Sequence, residues 1–156
     1  MRLFLFLFLS IFAFADTQIV GKVVKVYDGD TIHILDDDLN RLIIRLYGID
    51  APEIKQPFGK KSREFLAKKI GGKKVKIQIK NKDKYRRILG IVTYRKKDIN
   101  AEMVKNGYAW SYDKFSKKYK KLERVAKREK VGLWADKHKI RPEKFRYLIS
   151  VKPSKF

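Results

Sequence analysis

The sequence predicts an α+β fold that is mainly β: a small five-stranded barrel carrying three helices. Two observations lead there. Short runs rich in β-branched residues dominate the chain as far as residue 94, and apolar stripes at helical spacing interrupt and then follow them. With 156 residues, no internal repeat and no low-complexity segment, one folded domain accounts for the chain.

The strands come first. "QIVGKVVKVY" (18–27) is the first, with Gly21 marking a bulge or bend. In "TIHIL" (31–35), Ile32 and Ile34 share one face and His33 takes the other. "DDDLN" (36–40) is turn chemistry, and "RLIIRLY" (41–47) is the third strand. Leu42, Ile44 and Leu46 point to one side there, and Arg45 points to the other with Ile43 and Tyr47. "KVKIQIK" (74–80) and "RILGIVTY" (87–94) complete the five.

Helical signals punctuate them. Phe58, Phe65, Leu66 and Ile70 form a stripe between Pro57 and the stop at Gly71-Gly72. Asn100 is the expected N-cap of a short helix ending at Asn106-Gly107. Ser116 is the expected cap of a third, with Tyr119, Leu122, Val125, Ala126 and Glu129 on one face and Gly132 at its C′ position. After it, "RYLISV" (146–151) either pairs at a sheet edge or stays disordered.

The N-terminus has a separate logic. "MRLFLFLFLSIFAFA" has a positive start, an apolar run from Leu3 to Phe14, and small residues at Ala13 and Ala15. That pattern predicts a signal peptide over 1–15, cleaved after Ala15, and a secreted or periplasmic protein. The run is shorter than the ~20 residues of a spanning helix, so an uncleaved anchor is the weaker alternative. The absence of cysteine excludes disulfides, thiolate metal sites and lipidation at cysteine.

Charge narrows the partners. Lys and Arg number 39 against 17 Asp and Glu, for a formal charge of +22. Yet residues 16–53 hold eight acids and only four bases. A strongly basic body attracts polyanions, nucleic acid first and anionic membranes second. The acidic minority gathers in "DGDT" (28–31) and "LYGIDAPE" (46–53). Taken singly, each is an ordinary turn or loop. Together they place Asp28, Asp30, Asp50 and Glu53 at one corner of a barrel, where unpaired carboxylates repel unless a cation joins them. An all-oxygen set without His or Cys suits Ca²⁺ or Mg²⁺ over zinc. His33 and His138 have no partner at ligand spacing.

The run "DGDTIHI", ten further residues and then "RLYGIDAPE" resembles the signature of the thermonuclease family, the staphylococcal-nuclease-like enzymes. "DKYRRILGIV" (83–92) resembles that family's second motif, and "GLW" (132–134) its closing segment. The likeness runs from Ile19 to Asp136 and makes 16–136 a nuclease domain, leaving 137–156 as a basic tail of unknown role. Departures are Ala51 where Thr is frequent, Arg86 where Gly or Gln is usual, Thr93 in place of an aromatic and Trp110 in place of Tyr.

The resemblance implies an OB-type barrel and a monomeric Ca²⁺-dependent endonuclease. It would cut DNA and RNA, favouring single-stranded or locally melted stretches, leave 3′-phosphate ends and need no stable protein partner. The metal ligands it implies are Asp30, Asp50 and the carbonyl of Ala51; the catalytic set is Arg45, Glu53 and Arg87. Lys84, Tyr85, Trp110 and Tyr112 match substrate-binding positions, although the two later aromatics suit packing on the barrel as well as base stacking.

The residue types fit that chemistry independently. A cation and two guanidiniums neutralise the charge that accumulates at an attacked phosphodiester, and a carboxylate takes the proton of the attacking water. Two rivals remain: a non-catalytic nucleic-acid-binding module of the same fold, and a cationic membrane-active protein. The second needs a basic helix with a broad apolar face, and the stripe at 116–130 is narrow.

Overall fold

The computed structural model describes residues 17–151; the expected signal peptide lies outside the described residues. Five antiparallel or parallel neighbours close into a barrel: β1 (Gln18–Val26), β2 (Thr31–Asp36), β3 (Arg41–Leu46), β5 (Lys74–Lys82) and β6 (Ile88–Tyr94). The hydrogen-bonded order is β3-β2-β1-β5-β6, and β6 returns to pair in parallel with β3, so no edge is left between them. Short strands β4 (Ile49–Asp50) and β8 (Trp110–Ser111) pair outside the barrel, and β7 (Lys97–Asp98) pairs antiparallel with the end of β6.

The alternation in the sequence becomes the inside of this barrel. Ile32, Ile34, Ile44, Leu46, Val75, Ile77 and Val92 are all buried in one core. The bend predicted at Gly21 lies elsewhere: register slips between Val23 and Lys25. Gly21 is instead a point of close approach, since a Cβ there would lie 2.7 Å from the Leu35 carbonyl oxygen.

Helix α1 (Gly59–Ile70) buries Leu66 and Ile70, while Phe65 stacks on Tyr108 with ring centres 4.0 Å apart. Helix α2 (Ile99–Lys105) is capped by Asp98, whose side chain accepts from the Ala101 N–H at 2.9 Å. Asn100, the expected cap, sits inside the helix and is fully buried. It accepts from Val92 N and donates to the carbonyls of Tyr47 and Gly90 at 2.9–3.1 Å, tying the helix to β6 and the end of β3.

Helix α3 (Lys120–Arg128) is shorter than its stripe suggested. Ser116 caps a preceding turn, accepting from Lys118 N at 3.1 Å. The helix closes with Val131 N donating to Ala126 O and Lys130 N to Lys127 O, so Lys130, at φ 52°, takes the left-handed position expected for Gly132. Tyr119 and Ala126 are buried as expected, but Val125 and Glu129 are exposed and Glu123 replaces them inside. Its carboxylate lies 3.0 Å from Lys127 Nζ.

A 3₁₀ turn (Gly132–Ala135) then leads to a fourth helix, α4 (Pro142–Val151), where the sequence suggested an edge strand or disorder. Pro142 at its first position fixes the helical φ, and Glu143 faces the positive end of the dipole. Among the described residues no helix is long and apolar enough to cross a membrane.

Candidate active site

The turn after β1 and the loop after β4 meet over the N-terminal half of α1. Gly29 permits this contact, because a Cβ there would collide with Ser62 Oγ and sit 2.7 Å from the Ala51 side chain. The approach buries Asp30 and Asp50, 5% and 3% exposed. Asp30 Oδ2 accepts from the Ala51 N–H at 2.7 Å, and its Oδ1 accepts from the Thr31 hydroxyl at 3.1 Å. Asp28 accepts from the Asp30 N–H at 2.9 Å and so shapes the turn.

Arg45 reaches this pair from β3. Its guanidinium lies 2.8 Å from Asp30 Oδ2 and 2.9 Å from Asp50 Oδ1, and it donates to the Ile49 carbonyl at 3.0 Å. The outward-facing position predicted for Arg45 is thus the face that lines the site. From the barrel side the two carboxylates share this one arginine. Burial, reinforced by Asp30, pushes Asp50 up to about 6, and burial with the same neighbour pushes Asp28 up to about 7.

A cleft of about 750 Å³ opens over these residues, with Glu53 and Tyr112 on its walls. The β5–β6 turn brings Lys84, Tyr85 and Arg87 to it. Tyr85 is exposed, with Lys84 Nζ 5.1 Å and the Arg87 guanidinium 5.6 Å from its ring centre. Arg86 is exposed at φ 64°, the turn position expected to face solvent. Tyr112, Phe115 and Tyr47 build an aromatic wall in which the Tyr47 hydroxyl donates to the Phe115 carbonyl.

Trp110 does not join them. It packs edge-on to Trp134 at 5.3 Å with Ala126 and Leu133, and is 4% exposed. Because β8 ends at Ser111, the two rings do not share a strand face, and Trp110 takes the packing alternative. Trp110 is a core residue; its main chain pairs with Asp50 and holds that loop in place.

The sequence reading missed two residues. Asp83 holds Arg87 Nε at 2.7 Å, and an Asp opening the turn "DKYR" was its available signal. Arg146, from α4, lies 2.6 Å from Glu53 Oε1 and 3.3 Å from Asp50 Oδ2. No local signal announced it. Among the described residues, no three carboxylate, imidazole or thiolate side chains gather closely enough to form a metal site by themselves. Asp30 and Asp50 supply two oxygen ligands; a cation here would need main-chain carbonyl and water oxygens for the rest.

Comparisons with known proteins point to one family. The family model described as "Staphylococcal nuclease homologue" matches residues 43–136. An "Uncharacterized endonuclease" of Haemophilus influenzae is 42% identical over 127 residues, covering 80% of this chain and 71% of that protein. A "Micrococcal nuclease" of Shigella flexneri is 37% identical over 155 residues, covering 90% and 86%. A "Probable staphylococcal-like nuclease CAN3" of Oryza sativa is 42% identical over 101 residues, covering 64% of this chain and 27% of its own length. An OB-type barrel, the acidic corner beside Arg45 and a match across most of the folded residues lead to one conclusion: the chain belongs to the staphylococcal nuclease family and is a hydrolase of the nuclease class.

Proposed function

We propose that the protein is an exported, Ca²⁺-dependent endonuclease that hydrolyses phosphodiesters of DNA and RNA and leaves 3′-phosphate ends. The observation that carries this reading is the meeting of Asp30, Arg45, Asp50, Glu53 and Arg87 in one cleft. A hard cation fits the donor set, since Asp30 and Asp50 present buried carboxylate oxygens to which the barrel itself supplies one guanidinium, Arg45, while Arg146 reaches Asp50 only from α4. Asp30, Asp50 and the Ala51 carbonyl would hold it. Bound there, Ca²⁺ supplies positive charge to the phosphoryl oxygens.

The side chains supply the rest. Glu53 takes a proton from the water that attacks phosphorus, and the bond to the 5′-oxygen breaks, which leaves phosphate on the 3′ side. Arg45 and Arg87 grip the phosphoryl oxygens as their charge grows, a task for which a planar fork is better suited than an ammonium. Lys84 attracts the neighbouring phosphate, and Tyr85 and Tyr112 offer stacking faces that favour single-stranded or locally melted substrate. The signal-like residues 1–15 support export to the periplasm or beyond, and the protein would act as a monomer without a stable protein partner.

A digest of single-stranded DNA tests the reading. Cleavage should require Ca²⁺, stop in excess EGTA and be lost in Asp50→Ala. Mg²⁺ should substitute poorly, because it demands a rigid octahedral shell. Full activity in EGTA would overturn the metal assignment.

A further inference from the structure

The attachment of α4 to the barrel is almost wholly polar. Pro142 is buried and Phe145 half-buried, whereas Tyr147, Leu148, Ile149 and Val151 are exposed. Just before the helix, Gln56 donates to the Ile140 carbonyl at 2.5 Å, and in its first turn Glu143 pairs with Lys114. One turn on comes Arg146. One of its terminal nitrogens lies 2.6 Å from Glu53 Oε1 and 3.3 Å from Asp50 Oδ1; the other lies 3.3 Å from Asp50 Oδ2.

These contacts run from an exposed side chain inward: Arg146 is 43% exposed and Glu53 33%, but Asp50 is buried. That buried carboxylate needs a positive partner, which Arg45 supplies from the barrel side and Arg146 from the solvent side. Arg146 thus joins the Gln56–Ile140 bond and the Lys114–Glu143 pair as a polar attachment of this segment, and is the one of them that engages the site.

Resting on the Ca²⁺ reading above, we infer that Arg146 is a built-in substitute for the metal. It neutralises Asp50 and Glu53 while no divalent cation is present, and it leaves with α4 when one binds. The two cannot share the position. A calcium ion needs its oxygens at about 2.3–2.6 Å, and a guanidinium already bonded to both Asp50 oxygens would face it as a like charge at close range. While Arg146 is docked, Glu53 is engaged and the outer side of Asp50 is covered. Its departure frees the carboxylate that takes the water's proton and uncovers the cleft for a strand. The C-terminal segment is therefore a strap across the site, and metal affinity is lowered by the fraction of molecules in which it is closed.

Calorimetric titration of Ca²⁺ into the full mature chain tests this, using wild type, Arg146→Ala and Lys144→Ala. Lys144 is exposed on the same helix and controls for the loss of one positive charge. Arg146→Ala should bind Ca²⁺ about tenfold more tightly than Lys144→Ala, as expected when a competitor that holds the site shut in most molecules is removed. Hydrogen exchange across 142–151 gives a second readout. Saturating Ca²⁺ should deprotect α4 in wild type, and Arg146→Ala should be deprotected with or without it. Equal affinities for the two variants, or an α4 in wild type that ignores Ca²⁺, would overturn the strap and leave the metal reading standing. No Ca²⁺ uptake by any of the three proteins would overturn both.

Discussion

Asp83 holds Arg87 by both ends of its carboxylate: Oδ2 pairs with Arg87 Nε at 2.7 Å, while Oδ1 accepts the main-chain N–H groups of Tyr85 and Arg87 at 2.9 and 3.0 Å. Burial alone would raise this acid, but the Arg87 hydrogen bonds outweigh it and hold Asp83 below the usual carboxylate range. The turn and the guanidinium are thus fixed by one side chain. Asp83→Ala should lower kcat roughly 10–100-fold, the scale of a misplaced catalytic group, with little change in KM. In the double variant with Arg87→Ala, the second change should add almost nothing. Additive losses would separate Asp83 from Arg87.

Arg86 and Arg87 are adjacent, yet only Arg87 lines the cleft. Arg87→Ala should lose roughly 10²–10³ in kcat, the cost of removing a transition-state donor. Arg86→Ala should change the rate less than about tenfold. Arg86→Gly should also raise stability by about 0.5–1 kcal/mol, because the left-handed conformation costs a side chain more than the added backbone freedom costs glycine. Single-turnover rates and urea denaturation check the pair. A reversed order of rates would mean that the turn presents the other arginine.

Glu53 is the proposed acceptor of the water proton. Glu53→Gln should slow cleavage by about 10²–10⁴ while single-stranded DNA still binds, since no phosphate contact is removed. Gel-shift and quenched-flow measurements on one preparation separate binding from rate. Near-normal turnover would reduce Glu53 to a partner of Arg146.

Asp50 makes stability depend on pH. Its native pKa, pushed from 3.8 up to about 6 by burial and then by Asp30, means the folded protein holds a proton that the unfolded chain has released. Between about pH 4 and 6 the native state binds more protons, so stability falls as pH rises through that window. In EDTA, the difference between wild type and Asp50→Asn should shift by up to about 3 kcal/mol from pH 4 to 7, against wild type. Parallel pH profiles would contradict the shift. Asp28 is raised in the same direction, by burial and then by Asp30.

Asn100 satisfies one N–H and two carbonyls inside the fold. Asn100→Leu should destabilise the protein by about 2–4 kcal/mol, because those buried groups lose their partner without gaining water. A urea midpoint near that of wild type would show that the packing there relaxes.

The barrel was legible because its strands alternate with a period of two and its inward residues, such as Ile32, Ile34 and Ile44, are unambiguous. The acidic corner was legible because Asp30, Asp50 and Glu53 come from one short stretch of chain. What failed had longer reach. Asp98 and Asn100 are both good caps by type, and only the buried carbonyls of Tyr47 and Gly90 decide which one enters the helix. Trp110 was matched to the cleft through the resemblance, with packing as the alternative, and only its contact with Trp134 decides for packing. Arg146 is one base among many in a basic tail, and nothing local tells that its helix folds back over Asp50.

The parallel pairing of Ile44, Arg45 and Leu46 with Ile88, Leu89 and Gly90 sets an order of events for a newborn chain. A polypeptide leaving a ribosome delivers Asp30, Arg45, Asp50 and Glu53 first. Until the stretch up to Tyr94 has followed, β1, β2 and β3 can pair only as an open three-stranded meander, and Arg87 has no seam to bring it beside Arg45. Joining segments this far apart in the chain is slow compared with forming a hairpin. Barrel closure is in that sense a timer, and the assembled cleft exists only after most of the chain has left the machinery that made it.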